Sequence, residues 1–598
     1  MKIPRFFRTG ADISSIAATE RVALVYLRGL LVAAAMGALG ALAAQAFRSS
    51  LDHATAWLFG REGDISQIFA TLPWYLRVVC PAVGAAIAAL ILVQALRREQ
   101  SQGTVSEYLE TIDGKTDRIP VLPSLLRCLS SFFSIVSGGS IGKEGAMVQL
   151  SATAASWLCH PFRARPGLGR DRDNPQRGSA VLRGEDFRLA VALAATGGLA
   201  AVYHTPLAAA IFIAEIAYGG LELRRVGFLF TAAAAATWVV SVMGHFTPLY
   251  ALPPFVFDVT GPGMLAIMMV GVAAGAAGAI FLRVVRLART GFARLHESLV
   301  LRMTVGGLLV GLITLIAPDV AGNGFAPIVG LLDGQTLSSP LLVLLALKIL
   351  ATAATVGAGA IGGLFTPSLM IGALAGSACA PLAAQWLGVS DSAVLLGVAG
   401  MAAGLAATTQ APLMSTLMVF EMTQESTFVF PLMLATVVAY ATSMALGDSG
   451  AYSVTARHRA RSDRRSRLAD ATAGMVMRPL PNPVGQDTPL REAMAVGLAG
   501  KNRFVFVIDA AAHFQGAVWL QDVVARVNAG EAEAAIGSST YVPDLPVVYA
   551  DQRLFDIWQT VVESPAERTP VLADPQSRRL VGVLNKSELL KQARQLFA

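Results

Sequence analysis

Charged residues are scarce in this chain. They make up 15% of its 598 residues, whereas a soluble protein carries about 25%. Hydrophobic residues make up 54%, and the mean hydropathy is +0.57. The apolar excess is spread over many segments, which excludes a soluble domain with one anchor and predicts an all-α polytopic membrane protein. The segments are residues 22–47, 74–96, 188–218, 227–244, 263–282, 303–317, 339–386, 392–424 and 428–447.

Cysteine is scarce too. Four residues, Cys80, Cys128, Cys159 and Cys379, are scattered without a C-x-x-C pair. This spacing implies neither a disulfide nor a metal site, and we expect four buried, apolar thiols. A cleavable signal is not expected either, because the first apolar run begins near residue 22 and is too long. The sequence predicts no metal site, and we expect neither a resident cofactor nor enzyme activity.

The net charge of +7 would suggest nucleic acid as a partner if this protein were soluble. In a membrane protein the positive-inside rule explains it better, with the lipid bilayer as the partner. We therefore place the basic clusters, and with them both termini, on the cytoplasmic side of the cell (inner) membrane. The clusters are Lys2, Arg5 and Arg8; Arg163, Arg165, Arg170, Arg172 and Arg177; and Arg457, Arg459, Arg461, Arg464, Arg465 and Arg467.

One charged loop lies inside a long apolar stretch. Lys143 and Glu144 are the only formal charges between Arg127 and Arg163, and glycines flank them in Ser140-Ile-Gly-Lys-Glu-Gly-Ala146. A carboxylate at membrane depth is costly and marks a functional site. A helix that begins just after the loop would direct free N–H groups at an anion. The pattern predicts a path for a small anion, with Glu144 in it.

The membrane region contains an internal repeat. The segment from Ala200 to Glu215 matches the segment from Ala406 to Glu421, with Pro206 and Pro412 in corresponding positions. Residues 139–142 (Gly-Ser-Ile-Gly) likewise match 359–362 (Gly-Ala-Ile-Gly). Two related halves, roughly 70–250 and 290–450, with interrupted helices in corresponding positions are typical of transporters. We expect an inverted repeat with a binding site where the halves meet.

The composition changes near residue 455. We predict a membrane domain at 1–455, a basic linker at 456–470 and an α/β domain at 471–598. The last domain holds a second repeat, because Arg503–Asp509 with Gly516 and Asp522 parallels Arg568–Leu572 with Gly582 and Glu588. Each copy is predicted to form strand, turn, strand and helix.

Together these residues resemble the CLC family of chloride channels and chloride/proton antiporters, in its bacterial branch. The matching motifs are Gly142-Lys-Glu-Gly-Ala146 for G(K/R)EGP, Gly363-Leu-Phe-Thr-Pro367 for GxFxP, and the late Tyr452. Ala146 and Ile361 stand where many members have proline. Several motifs in the family's order, with the repeat, make the resemblance specific.

The resemblance implies roles for named residues. Glu144 corresponds to the gating glutamate, which occupies an anion site when closed and swings away or protonates to open. Backbone N–H groups around Gly142, Lys143, Gly145, Leu364 and Phe365 would coordinate chloride, and the Tyr452 hydroxyl would contact an inner anion. The family's inner serine has no match, and Thr104 is the substitute hydroxyl, with Ser106 a weaker one. Homodimers with one pore per subunit are implied as well.

One departure bears on mechanism. Antiporters of the family usually carry a second, proton-delivering glutamate just after the position of Glu215, and here that position is Ile216. Isoleucine cannot relay a proton, so we favour a passive, glutamate-gated chloride channel. The chloride/proton antiporter stays open as an alternative, since Glu215 and Glu222 are nearby. We expect Glu215 and Glu421 to be structural, and His204 to be a packed or loop residue.

The tail resembles a pair of CBS domains. In that family an Asp in the helix after the second strand of each copy binds the ribose of an adenine nucleotide, and Asp522 fits this position. Trp519 replaces the expected Ser or Thr, and the second copy has Asn585 and Glu588 instead. The match for a nucleotide is therefore weak.

Two functions of other classes fit the sequence less well. A CBS-regulated magnesium transporter would need acidic oxygens at membrane depth. Asp391 is the only charge between Lys348 and Glu421, which argues against a cation path. A nucleotide-sensing receptor without transport offers no reason for Glu144 among glycines.

Overall fold

The computed structural model describes two compact units, Met1–Ala456 and Arg457–Ala598. The described residues are 16–102, 107–114, 119–159, 184–220, 223–244, 247–252, 261–389, 393–447, 450–452, 471–479, 482–500, 503–564, 566–587 and 589–590. Thr104, Ser106, Glu222, Glu588 and the three basic clusters lie outside them.

The first unit is helical throughout its described part. A π-helical turn, Ile213–Ala217, continues the helix Pro206–Phe212. The helices are α1 (Ile16–Phe59), α2 (Ile65–Thr71), α3 (Trp74–Gln102), α4 (Tyr108–Ile112), α5 (Val121–Val136), α6 (Glu144–Cys159), α7 (Gly184–Tyr203), α8 (Pro206–Phe212), α9 (Leu223–Val242), α10 (Gly261–Leu295), α11 (Leu299–Ile316), α12 (Phe325–Leu332), α13 (Leu341–Gly357), α14 (Phe365–Ala378), α15 (Ala380–Leu387), α16 (Ala393–Thr409), α17 (Pro412–Thr423) and α18 (Val429–Ala445).

Helices of two length classes build this unit. In its described part, eight helical segments are long and apolar enough to cross a membrane. Four further apolar stretches are too short: Val121–Val136, Pro206–Ala217, Leu341–Gly357 and Ala393–Thr409. Short helices that end at membrane depth are tolerated where their ends line a cavity. The predicted polytopic helical fold with interrupted helices is confirmed.

The internal repeat is visible in the backbone of the breaks between α7 and α8 and between α16 and α17. His204 and Gln410 occupy corresponding positions, and both have left-handed φ angles, 57° and 61°. The next residues also agree, with φ/ψ of −126°/78° at Thr205 and −131°/79° at Ala411. Residues other than glycine rarely adopt a positive φ. The positive φ at both His204 and Gln410 therefore shows that the two breaks have the same backbone structure.

Each half supplies a carboxylate that caps a helix of the other half. Oε2 of Glu215 accepts a hydrogen bond from the backbone N–H of Met414, at 3.0 Å, at the start of α17. The two carboxylate oxygens of Glu421 accept from Leu207 and Ala208, at 2.9 and 2.7 Å, at the start of α8. Without water, helix-end N–H groups need protein acceptors. Both glutamates thus have the structural partners that we expected.

The loops before α6 and α14 form the second pair of equivalent breaks, but the sequence match is shifted by one residue. The positive-φ glycines are Gly138 and Gly359, at 95° and 115°. Gly142 and Gly363 form a reciprocal antiparallel bridge, with both N–H···O distances 2.8 Å. Gly142 therefore corresponds to Gly363, not to the Gly362 that the sequence alignment suggested.

The second unit is an α/β domain, as predicted for the tail. Its elements are α19 (Ala473–Val476), β1 (Val484–Gly485), α20 (Leu490–Ala499), β2 (Phe504–Ile508), β3 (Phe514–Trp519), α21 (Leu520–Asn528), β4 (Val548–Tyr549), α22 (Leu554–Glu563), β5 (Arg568–Leu572) and β6 (Leu580–Asn585). They form two three-stranded sheets of order β1-β2-β3 and β4-β5-β6.

The two sheets repeat each other in detail. In each sheet the first pair of strands is parallel and the second pair is antiparallel. Gly516 lies opposite Val507, as Gly582 lies opposite Val571, and a register shift follows at the same place in both sheets. A shared buried cluster joins the sheets: Phe504, Phe506, Phe514, Ala517, Ala566, Leu572, Leu580 and Val583. Duplicated units that bury their sheets against each other explain the tail repeat.

Candidate functional site

Glu144 is the first residue of α6 and is buried, with 4% of its surface exposed. The bridge between Gly142 and Gly363 holds the loop before α6 against the loop before α14. Both helices therefore begin at one place, where Glu144 and Phe365 are their first residues. Two helix N-termini at one place concentrate free N–H groups and positive dipole ends, which attract an anion.

The Glu144 carboxylate folds back over this loop and has a hydroxyl partner. Its Oε1 accepts a hydrogen bond from Oγ1 of Thr366, and that Oγ1 lies 3.2 Å from the Tyr203 hydroxyl. Oε2 has no hydrogen-bond partner among the described residues. A buried carboxylate oxygen without a close donor is costly. The Thr366 hydroxyl is the closest donor to this carboxylate, and the Asn323 side chain and the backbone N–H of Glu144 also stabilise it.

Glycine at position 142 is required by this arrangement. A Cβ there would overlap Oε2 of Glu144 and would lie 2.8 Å from the Gly363 carbonyl oxygen. The absent side chain thus gives the carboxylate its place, because glycine lets another group approach the backbone closely.

Two cavities meet at Glu144, and it is the only described residue that lines both. The first cavity, of about 430 Å³, is lined among others by Lys143, Tyr203, Tyr250, Asn323 and Thr366. The second cavity, of about 670 Å³, is lined among others by Gly145, Leu364, Phe365, Arg302 and Tyr452. A side chain between two cavities is placed to open or close a path from one to the other.

The predicted anion-site residues are distributed over these cavities. Lys143 is half-buried and lines the first cavity, whereas Gly145, Leu364, Phe365 and Tyr452 line the second cavity. Gly142 lies in the bridge between the two loops. The predicted Thr104 hydroxyl falls outside the described residues.

Aromatic rings fix the shape of the second cavity near Glu144. The Phe365 ring lies 4.8 Å from the ring of Tyr203 and 6.4 Å from that of Phe212, between ring centroids. Phe212 also meets Tyr452 edge to face, at 5.8 Å. These contacts keep the Tyr452 ring in place at the second cavity, where its hydroxyl adds a polar group to a cluster of aromatic rings.

Among the polar residues of the first cavity that the sequence did not predict as site residues are Thr366, Tyr203 and Tyr250. Thr366 could have been noticed, because it is one of the two variable positions of GxFxP. Tyr203 precedes His204 at the repeat break and carried no signal of its own. Tyr250 belongs to no motif, so only the structure identifies it.

Ile216 lies in the π-helical turn after α8 and is completely buried. Its neighbour Glu215 is engaged in capping α17. Neither side chain lines one of the two cavities described above. His204 is buried, and its Nδ1 lies 2.9 Å from the Thr247 carbonyl oxygen, in line with the packed histidine that we expected.

In the tail, Asp522 lies in the first turn of α21 and is exposed. The Trp519 ring, at the position expected for Ser or Thr, stacks on Phe504 at 4.2 Å between centroids. The indole therefore serves packing at the end of β3. A ribose-binding role of Asp522 remains a prediction.

Comparison with known proteins decides the family. Residues 84–444 match the family model described as voltage gated chloride channel. The chain belongs to this family. A relative from Ralstonia nicotianae, named a putative chloride channel protein ClcB-like, is 38% identical over 425 residues, which is 71% of this chain and 95% of the relative. The voltage-gated ClC-type chloride channel ClcB of Salmonella typhi is 36% identical over 432 residues, which is 71% of this chain and 98% of that protein.

Solved structures of the family share the fold at lower identity. A slow cyanobacterial Cl⁻/H⁺ antiporter has a TM-score of 0.60 at 22% identity, covering 74% of this chain and 99% of the antiporter. A CLC-type fluoride/proton antiporter has a TM-score of 0.59 at 20% identity, covering 72% and 98%. A eukaryotic CLC transporter has a TM-score of 0.55 at 17% identity and covers 94% of this chain and 98% of its own. These similarities establish the CLC fold.

Proposed function

We propose that this protein moves chloride across a membrane and that Glu144 gates the movement. The proposal rests on one observation: among the described residues, Glu144 alone lines both cavities. A carboxylate carries the same charge as chloride, so it can occupy an anion position and block it. When the side chain leaves or is protonated, the position becomes available to the ion. The relatives named as chloride channels support chloride as the ion.

The N-termini of α6 and α14 supply the anion position in this proposal. Free N–H groups at the starts of these helices, around Gly145 and Phe365, are donors that bind a halide without a full cation. Such partial charges bind strongly enough for the ion to enter and weakly enough for it to leave. The Tyr452 hydroxyl, in the second cavity, would hold the next ion along the path.

We favour passive conduction over proton-coupled exchange. Ile216 is buried at the position where antiporters of the family usually carry a second glutamate, and a hydrocarbon side chain cannot carry a proton. The antiporter stays the alternative, because two structures that share the fold belong to proton antiporters. The relatives give no support to the magnesium transporter.

Flux through purified protein in sealed liposomes tests the proposal. We expect chloride to run down its gradient without moving protons against theirs, so the reversal potential follows chloride alone. Uphill proton movement driven by chloride would replace the channel by the antiporter. Liposomes in which the protein passes neither ion under either gradient would contradict transport itself.

We further propose that the protein is a homodimer in the cell (inner) membrane, that both of its termini are cytoplasmic, and that its tail is a CBS pair. The two repeated sheets support the CBS pair. An adenine nucleotide bound there would involve Asp522. Loss of a nucleotide response on deletion of residues 471–598 is the expected result for this sensor.

A further inference from the structure

We propose that two different hydroxyls hold the gating Glu144 in its closed and open positions: Thr366 holds the carboxylate in the closed position, and Tyr250 receives it in the open one. This inference rests on the proposed gating function of Glu144. It adds two positioning residues that act on the gate in opposite directions.

The closed position is the one that the structure displays. Thr366 Oγ1 donates to Oε1 of Glu144, and the Tyr203 hydroxyl lies 3.2 Å from the same Oγ1. Tyr203 and Thr366 are both buried, so this hydroxyl pair is screened from water. Since a hydroxyl has one proton to donate, Tyr203 donates to Thr366 when Thr366 donates to the carboxylate. The pair therefore stabilises the ionised carboxylate in place.

The receiving position is indicated by Tyr250. Its side chain is 1% exposed, and its hydroxyl has no hydrogen-bond partner among the described residues. A buried, unpaired hydroxyl is costly and calls for a partner in some state of the molecule. Tyr250 lines the first cavity together with Glu144, whose Oε2 also lacks a partner among the described residues. Tyr250 thus places a buried donor without an acceptor in the cavity that the Glu144 carboxylate also lines.

Tyr250 is held firmly enough to act as a fixed partner. Its backbone N–H donates to the Met422 carbonyl oxygen at 3.1 Å, and its ring lies against Phe325 at 5.3 Å between centroids. In this proposal Tyr250 stays in place and the Glu144 side chain moves toward it. A movement into the first cavity withdraws the carboxylate from the second cavity, and it vacates the helix N-termini for an anion.

Two substitutions that each remove one hydroxyl test this arrangement, because they should change chloride flux in opposite directions. Thr366→Val removes the closed-state donor, so we expect chloride flux in proteoliposomes to rise at neutral pH. Tyr250→Phe removes the open-state donor, so we expect flux to fall. Because a hydrogen bond to a charged group is involved, each change should be about tenfold. Thr366→Ser restores the hydroxyl and should return flux toward that of the native protein.

Matched controls remove hydroxyls elsewhere. Tyr75→Phe alters an exposed tyrosine, and Thr304→Val alters a threonine bonded to the Val300 carbonyl of its own helix. Both should behave as the native protein does. Changes of the same sign in Thr366→Val and Tyr250→Phe, or no change in either, would overturn the two-position gate.

The Glu144→Ala background separates this inference from the proposed function, because alanine offers no acceptor to either hydroxyl, whereas the amide oxygen of glutamine would still accept from both. In this background Thr366→Val and Tyr250→Phe should no longer have opposite effects, since coupled residues are non-additive. If Glu144→Ala itself leaves gating unchanged, the proposed function fails. If Glu144→Ala opens the path but the opposite effects persist in that background, only the two hydroxyl-held positions fail.

Discussion

The two cavities that meet at Glu144 differ in charge. The second cavity is lined by three arginines, Arg127, Arg289 and Arg302, against one other carboxylate, Glu107. The first cavity is lined by two cations against three other carboxylates and a histidine: Arg48, Lys143, Asp52, Glu62, Asp64 and His53. The second cavity is thus basic, whereas the first is weakly acidic and rich in groups that bind protons.

This difference in charge suits the two cavities to different roles on the two sides of the Glu144 carboxylate. A basic cavity raises the local concentration of anions. An acidic cavity does little to gather chloride, because its negative charges attract cations and protons instead. We therefore expect the second cavity to supply anions and the first to supply the protons that neutralise Glu144. Arg127 contributes less than its charge suggests, because it pairs with Glu99 at 2.8 and 3.0 Å.

The largest effect should come from removing the carboxylate that separates the cavities. In Glu144→Gln and Glu144→Ala the path should stay open, because neither side chain carries the charge that occupies the anion position. Chloride flux in proteoliposomes should rise by tenfold or more, taking about 1.4 kcal/mol per factor of ten for a lost charged contact. The rise of flux with falling pH, expected of the native protein, should disappear.

Glu297→Gln, which alters an exposed glutamate between α10 and α11, is the matched control and should leave flux and its pH dependence as they are. A pH dependence that survives in both Glu144 variants would show that another group gates the path. The two cavities would then have no distinct roles on the two sides of Glu144.

Charge changes in the two cavities should have smaller and opposite effects. Arg302→Gln removes a cation of the second cavity and should lower chloride flux at low salt roughly threefold. Asp52→Asn removes an exposed anion at the first cavity and should raise flux slightly. Both effects should fade at high ionic strength, because salt screens them. Flux measured at two salt concentrations checks this, and equal effects of the two variants would mean that the cavities do not differ.

Much of this fold could be predicted from the sequence, because the internal repeats mark its equivalent parts. The break at Pro206 and its partner at Pro412 were found as matching strings, and the structure gives them matching backbone angles. Glu144 was found because a lone acidic residue in an apolar stretch is costly. Local composition and self-similarity are readable without tertiary contacts.

The partners of Glu144 were not accessible in this way. Thr366 is 222 residues away in the chain, and no spacing rule connects the two. Tyr250 belongs to no motif. The register of the glycine loops was misjudged by one residue, because glycine-rich strings align equally well in two ways. Only the bridge between Gly142 and Gly363 chooses between them.

The smallest effect should come from the Tyr452 hydroxyl, at the wall of the second cavity. Tyr452→Phe keeps the ring against Phe212 and removes only one neutral donor. We expect anion binding to weaken about twofold, and the pH dependence to stay native, because the first cavity and Glu144 are untouched. Chloride binding by calorimetry and flux against pH check the two halves of this expectation. If Tyr452→Phe shifts the pH dependence and leaves chloride binding native, the expected roles of the two cavities are wrong, because a group of the second cavity would then take part in proton transfer.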